Sequence, residues 1–266
     1  MKTKIPFTKA HGTGNDFIIL YENECPDIIH NAEFIQHICH RRTGIGADAV
    51  LILSDVEGYD FKIDYYNSDG TWETFCANGS RCAALSIYTN KLCCKKMIFL
   101  AGDGQHEVEI ISEDYVKLKM TAPKYETELL TINGFKGRHV NSGAKHFTSP
   151  SENISPEFME EFAPPIRYSK EFMPNGINVN FFNVIDSHSM HVVTYEKGIE
   201  KVMLSCGSGS VASVYHSAQI NHLESPVNVT VPGGELIVHF DNNWQNVWLE
   251  GPAVLLFSSE IEYNIH

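Results

Sequence analysis

Apolar positions recur along this chain at two periods. Short runs or alternations rich in Val, Ile, Phe and Tyr predict strands at Phe17–Tyr21, Val50–Leu53, Phe61–Tyr66, Met97–Leu100, Val108–Ile111 and Val116–Met120. A second group follows at Val179–Val184, His191–Tyr195, Val227–Val231, Leu236–Phe240 and Val247–Leu249, with a last strand near Leu255–Tyr263. Helical spacing predicts helices over Ala32–Arg42, Gly79–Lys91, Pro156–Glu161 and Ser208–Asn221. The polar, Pro-rich stretch Pro150–Arg167 reads as surface.

The pattern also repeats. CANGSRCAALSIY begins at Cys76, and CGSGSVASVYHSA begins 130 positions later at Cys206. GQHEVEII and YVKLKMTAP follow from Gly104; GELIVHF and NVWLEGPA follow from Gly234, again 130 positions on. The closing prolines, Pro123 and Pro252, are 129 apart. Self-similarity over a thiol, a helix, a turn, two strands and a proline predicts two similar lobes. In each, a cysteine precedes small residues and then a helix. A thiol at a helix N-terminus meets free N–H groups and the positive end of the dipole, which lower its pKa. The same N–H groups can hold a carboxylate.

Composition narrows the function. With 266 residues and 43% hydrophobic content the chain is long enough for one large or two medium domains. The net charge is −13, and the longest basic runs are the pairs Arg41-Arg42 and Lys95-Lys96, so no nucleic-acid footprint is expected. No apolar run is long enough to span a bilayer, and MKTKIPFTKAHGTGNDF lacks the apolar core of a signal peptide; a cytoplasmic protein is expected. The seven cysteines are odd in number and irregular in spacing, which favours free thiols in a reducing compartment. Cys25, Cys39, Cys82, Cys93 and Cys94 read as small buried hydrophobes.

Paired thiols suit one reaction class. Inverting an amino-acid α-carbon without a cofactor takes a base on one face and an acid on the other, plus preorganised donors for the carboxylate. Cys76 and Cys206 supply both if they flank one carbon. A structural disulfide between them is the rival reading, and it suits an oxidising compartment. Other motifs carry less. Gly44–Ala49 fits a dinucleotide fingerprint but leads from a helix into a strand, the reverse of the required order. His37, Cys39 and His40 have no second ligand cluster, so no metal is expected. Nothing singles out a lysine for a pyridoxal Schiff base.

The blocks HGTGNDF (from His11), RRTGIGADAVLIL (from Arg41), YNSDGTWETFCANGSRC (from Tyr66), GINVNF (from Gly176), CGSGSVAS (from Cys206) and VPGGEL with LEGPA (Val231 to Ala253) occur in the order found in diaminopimelate epimerases. Over nearly its whole length the chain resembles that family. The resemblance implies an α/β (α+β) fold of two pseudo-symmetric lobes. Each would be a curved, mostly antiparallel sheet around a central helix. The first lobe would cover 1–122, with 254–266 returning to it, and the second 123–253. Cys76 and Cys206 would be the proton-transfer thiols. Asn15, Asn67 and Asn178 would bind the diamino-diacid. Asn78, Gly79, Gly207 and Ser208 would offer N–H groups to the reacting carboxylate. Glu196 would lie near the reacting amine, and His146 would match the histidine of the family's Gly-Asn-Pro-His block. The implied activity is conversion of LL- to meso-diaminopimelate without a cofactor. The implied partner is a small amino-acid substrate, with a homodimer left open and neither nucleic acid nor membrane involved.

Four departures stand out. Gly143-Ala144-Lys145-His146 lacks the block's asparagine, with Lys145 or a water expected in its place. Glu196-Lys197-Gly198 replaces Glu-Arg-Gly, which keeps the charge but loses the bidentate grip of arginine. The stretch from Glu196 to Cys206 is one residue long, making Glu200-Lys201 a competing register. Ala77 stands where glycine is usual. None removes the thiols, but two touch the far end of the substrate. A racemase acting on another amino acid is therefore the runner-up, and a non-catalytic binding protein the third reading.

Overall fold

Period-two burial begins in the first strand, β1 (Lys2–Gly12), where Ile5, Phe7 and Lys9 turn inward and alternate with the less buried Lys4, Pro6 and Thr8. The computed structural model describes residues 2–221 and 223–264, the side chain of Asn221 excepted. After β1 come β2 (Asn15–Tyr21), α1 (Ala32–Cys39), β3 (Ala49–Ser54), β4 (Phe61–Asn67), β5 (Trp72–Glu73) and α2 (Ala77–Thr89). Then follow β6 (Lys96–Ala101), β7 (Gly104–Ile110) and β8 (Tyr115–Met120). The next set is β9 (Lys124–Tyr125), β10 (Leu130–Ile132), β11 (Phe135–Asn141), β12 (Lys145–Pro150), α3 (Pro156–Arg167), β13 (Asn178–Asp186), β14 (Ser189–Glu196) and β15 (Lys201–Met203). It is completed by α4 (Gly207–Asn221), β16 (Val227–Val231), β17 (Gly234–Phe240) and β18 (Val247–Pro252), before the final strand β19 (Val254–Asn264).

The chain forms two units, Met1–Leu118 with Gly251–His266 and Lys119–Glu250. In the first, the strand order is β8-β7-β6-β4-β3-β2-β1-β19. Pairings β4–β6 and β2–β3 are parallel and the rest antiparallel. α1 packs on one face through Phe34, Ile35 and Ile38, against Ile18, Leu20, Val50 and Ile52. Each such side chain contributes about 1.5–3 kcal/mol by leaving water. α2 takes the other face and is buried all round, from Ala77 to Ile87.

The second unit has the order β18-β17-β16-β14-β13-β12-β11-β10. Its parallel pairings are β14–β16 and β12–β13. Read from β8 and from β18, the two series of pairings are identical. Each parallel step needs a crossover, supplied by α1 and α2 in one unit and by α3 and α4 in the other. α3 packs through Met159, Ala163 and Ile166 against Phe147, Val179 and Phe181. α4 is the buried central helix, with Val211, Ala212, Ser213 and Val214 all inaccessible. The repeat differs at one strand. The place held by β9 and β10 in the second unit is taken in the first by β19.

Several sequence expectations are corrected. α1 ends at Cys39, not Arg42, because His40 turns extended and the Ile45 and Gly46 N–H groups cap the Ile38 carbonyl. α3 runs past Glu161 to Arg167, with Pro164 and Pro165 in its last turns and the Pro164 carbonyl still accepting the Tyr168 N–H. The Pro150–Arg167 stretch is therefore not simply surface, since one face of α3 enters the core. β1, β11 and β12, with the short β5, β9, β10 and β15, lie outside every predicted strand.

Candidate active site

Cys76 is the N-cap of α2, in extended conformation. Its carbonyl accepts the Ser80 N–H at 2.8 Å, and its sulfur accepts the Gly79 N–H at 3.5 Å. Gly79 lets this turn lie on the sheet: a Cβ there would meet Leu51 Cδ2 at 3.0 Å. Beside the thiol, Asn15 Oδ1 accepts from Asn78 Nδ2 at 3.3 Å and lies 3.9 Å from Cys76 Sγ. The other end of the Asn15 amide donates to Asp48 Oδ2 at 2.9 Å.

Asp48 belongs to a four-charge cluster. Arg41 donates to Asp16 at 2.8 and 3.0 Å and to Asp48 at 2.6 Å; Lys9 donates to Asp16 at 2.7 Å and to the Gly46 carbonyl. Burial pushes the Asp16 carboxyl up, but the bonds from Arg41 and Lys9 outweigh it and hold the group well below the usual range. The blocks from His11 and from Arg41 thus meet here, fixing the Asn15 amide from behind. Arg81, one turn further along α2, is fully buried. It donates to Asn78 Oδ1 at 2.9 Å and to Thr13 Oγ1 and the Ala77 carbonyl at 3.3 Å, while its Nε has no partner.

In the second unit Cys206 stands in the matching place directly before α4, its carbonyl accepting the Ser210 N–H at 2.9 Å. Gly209 repeats Gly79, since a Cβ there would overlap the Asn180 amide and crowd Cys206 Sγ at 3.2 Å. The thiol lies 3.6 Å from Ser208 Oγ, which lies 3.0 Å from His146 Nε2. His146 Nδ1 is 2.8 Å from Asn180 Oδ1, and Asn180 Nδ2 donates to Thr194 Oγ1 at 2.6 Å. Asn180 therefore accepts from Nδ1–H, leaving Nε2 to accept from the Ser208 hydroxyl. Ser208 Oγ, its hydrogen committed, faces the thiol as an acceptor. Burial lowers the His146 pKa to about 4, so the imidazole is neutral at pH 7.

Asn178, Glu196 and Lys197 gather at adjacent ends of β13 and β14. The Lys197 N–H donates to Asn178 Oδ1 at 2.8 Å, and Asn178 Nδ2 donates to the Lys145 carbonyl at 3.1 Å. Burial raises the Glu196 pKa to about 7. Glu200, the competing register, is occupied by Arg167 at 2.8 Å. Asn67 closes its own turn, with Nδ2 donating to Thr71 Oγ1 at 3.1 Å; that turn touches the Asp48 carbonyl through the Ser68 N–H at 3.0 Å. Gly207 and Ser208 open α4.

The first unit thus brings together Cys76, Asn15, Asn78 and Gly79, with Asn67 alongside. The second brings together Cys206, Gly207, Ser208 and His146, with Asn178, Glu196 and Lys197 as a separate group. Sequence reasoning passed over Asp48, Arg81, Asn180 and Thr194. The first three stand inside quoted blocks, but only their partners reveal what they do. Among the described residues no three His, Cys, Asp or Glu side chains converge as a metal cage, and no helix is long and apolar enough to cross a membrane.

Comparison with known proteins places this arrangement. A family model described as diaminopimelate epimerase matches residues 7–126 and 138–256. A diaminopimelate epimerase of Methanocella arvoryzae is 34% identical over 98% of each chain. One of Flavobacterium psychrophilum is 33% identical over 95% of this chain and 98% of its own. Among solved structures, a phenazine biosynthesis protein of the PhzF family from Bacillus anthracis shares the fold with a TM-score of 0.75 at 13% identity, covering 97% of this chain and 99% of its own. A hydroxyproline epimerase from Agrobacterium vitis does so with a TM-score of 0.70 at 11% identity, covering 97% and 91%. On the family match and the full-length relatives, this chain is an isomerase belonging to the diaminopimelate epimerase family.

Proposed function

We propose that the chain converts LL-diaminopimelate to meso-diaminopimelate without a cofactor, using Cys76 and Cys206 as paired acid and base. The observation that carries this reading is the matched pair of thiols, each directly before the buried central helix of its unit. One thiolate sulfur takes the proton from the α-carbon. The electron pair left on carbon delocalises into the carboxylate, and the opposite thiol delivers its proton to the other face. The N–H groups of Asn78, Gly79, Gly207 and Ser208 are the donors for that carboxylate, strengthened by two helix dipoles. Glu196 would hold the reacting amine, and His146 holds Ser208 in place.

Asn15, Asn67 and Asn178 would bind the diamino-diacid, and Lys197 or Lys145 would supply positive charge for the distant carboxylate. The missing contact at Ala144 and the lysine at 197 favour, as second reading, a racemase for another amino acid. The protein would work in the cytoplasm on a small molecule, without nucleic acid or membrane, and a homodimer is compatible with this.

The test is exchange of the α-proton with solvent deuterium over a panel of amino acids, using wild type and the Cys76→Ala and Cys206→Ala variants. Diaminopimelate should be the best substrate, and either variant should lose epimerisation by at least a thousandfold. A monocarboxylate turned over far better than diaminopimelate establishes the second reading. Normal turnover by Cys206→Ala in both directions ends the two-thiol mechanism.

A further inference from the structure

Arg81 is a buried cation with no carboxylate among its partners. Among the described residues its hydrogen bonds go only to Asn78 Oδ1, Thr13 Oγ1 and the Ala77 carbonyl, all neutral. Removing one charge from water without a counter-ion is costly, and a group that is merely structural is normally paired. A guanidinium does not escape by losing its proton. Side chains on a helix lean toward its N-terminus, so the Arg81 head group lies in the first turn, bonded to two residues that directly follow Cys76.

The repeat supplies a control within the same molecule. The position 130 residues on from Arg81 is Val211, equally buried but uncharged. The first central helix therefore carries a cation behind its thiol, and the second does not. Both thiols face an acceptor, Cys76 the Asn15 Oδ1 at 3.9 Å and Cys206 the Ser208 Oγ at 3.6 Å, whose hydrogen is committed to a neutral His146, so the cation is what sets the two helix ends apart.

We infer that Arg81 is a positioning residue that makes the two thiols unequal: its guanidinium holds Cys76 as the thiolate, while Cys206 rests as the thiol. The catalytic consequence rests on the two-thiol reading above, but the inequality itself does not. At rest the pair then holds the one-proton state that a two-base isomerase needs to begin a turnover. Both sulfurs charged, or both protonated, would be idle.

Other titratable groups on the elements around Cys76 have surroundings of their own. Asp16 and Asp48 are matched by Lys9 and Arg41, and Asp48 holds the Asn15 amide that lies beside the thiol. Cys82 on α2 is pushed up to about 12 by burial and stays neutral. Tyr65 of β4 lines the same small cavity as Cys76. His106 of β7 stacks on Phe75 at 4.2 Å and pairs with Asp103. Glu73 of β5 is exposed, and Glu260 and Glu262 of β19 pair outward with Lys4 and Lys2.

The experiment measures iodoacetamide alkylation of each thiol against pH on the full chain, read peptide by peptide, for wild type, Arg81→Met and Arg81→Lys. In wild type, Cys76 should half-titrate at least one pH unit below Cys206. Arg81→Met should move Cys76 up by a unit or more and leave Cys206 in place, and should move the acidic limb of the activity profile up equally. Arg81→Lys should recover at least half of the shift. Cys76 unmoved in Arg81→Met, or titrating at or above Cys206 in wild type, overturns the inference; the wild-type comparison decides even if the methionine variant does not fold. The ordered pair of titrations without isomerase activity would instead fault the proposed function.

Discussion

The backbone N–H of Lys197 donates to the side-chain oxygen of Asn178 at 2.8 Å, while the same amide's nitrogen holds the Lys145 carbonyl at 3.1 Å. One asparagine, itself in a block that keeps the family pattern, thus ties together two of the segments that depart from it. Asn178→Ala frees both backbone groups. Because they are exposed, water replaces the lost bonds and stability falls by only about 0.5–1.5 kcal/mol. The turn bearing Glu196 and Lys197 loses its anchor, so KM for diaminopimelate should rise at least tenfold. Steady-state kinetics beside a thermal melt separates the two effects.

Lys197→Ala tests the charge rather than the anchor. A cation that binds the distant carboxylate acts equally in ground and transition states, so its loss should raise KM much more than it lowers kcat. An equal fall in kcat and kcat/KM would place Lys197 at the chemistry instead.

Glu196 gives a stability signature with a definite sign. Burial lifts its carboxyl from 4.5 to about 7 in the folded protein. Between those values the folded state binds more protons than the unfolded state, so this group makes stability fall as pH rises, by at most about 1.4 kcal/mol per unit. The penalty is absent below pH 4.5 and complete above pH 7. Glu196→Gln should therefore gain on wild type steadily between pH 5 and 8 in urea denaturation, and show no gain at pH 4.

Gly176 sits at φ +63°, where a Cβ would overlap the Arg167 guanidinium. Gly176→Ala forces a strained backbone and pushes Arg167 off Glu200, its partner at 2.8 Å. These are two of the usual sources of large losses, and together they should cost about 2–4 kcal/mol. Denaturant midpoints measure it directly; Arg167→Met beside it apportions the ion-pair share.

The cysteines should separate by reactivity. Burial is the leading cause that pushes Cys39 and Cys82 up to about 12, and Cys25 and Cys93 up to about 11. In the native protein at pH 7.5, Cys76 should be alkylated at least tenfold faster than any of these four. Peptide mapping after a brief pulse of reagent reads the order, with exposed Cys94 as internal reference.

Much of this molecule was legible in its sequence. The 130-residue repeat located both central helices and the thiol before each, because helix, glycine turn and strand pair each leave a local pattern. β1 was missed although Ile5 and Phe7 alternate, because the next inward position is Lys9. Lysine reads as exposed, and only the folded chain supplies Asp16 to meet it. Pro6 added to the disguise; it is tolerated because β2 begins pairing at Thr8, leaving the proline nitrogen without a strand to serve. β12 was missed because His146, Thr148 and Ser149 are polar yet buried, their bonds made to residues as distant in sequence as Asn180 and Ser208. Arg81 stood in plain view within the block at Cys76, but its isolation depends on the absence of a carboxylate, which no linear pattern encodes.

The pairing of β1 with β19, from Lys2↔Asn264 to His11↔Val254, bears on how the protein is made. Translation proceeds from the N-terminus, and domains generally fold as units while it does so. The unit carrying Cys206 is one continuous segment and has all its strands once residue 250 has emerged. The unit carrying Cys76 begins before that segment and is completed after it, since its edge strand β19 follows residue 250. Until then β1 offers an unpaired strand edge, a template for pairing with another nascent chain. A ribosome stalled after residue 250 has emerged but before β19 has would therefore hold a chain with one unit supplied with its strands and one sheet still open, so β19 guards newly made protein against aggregation.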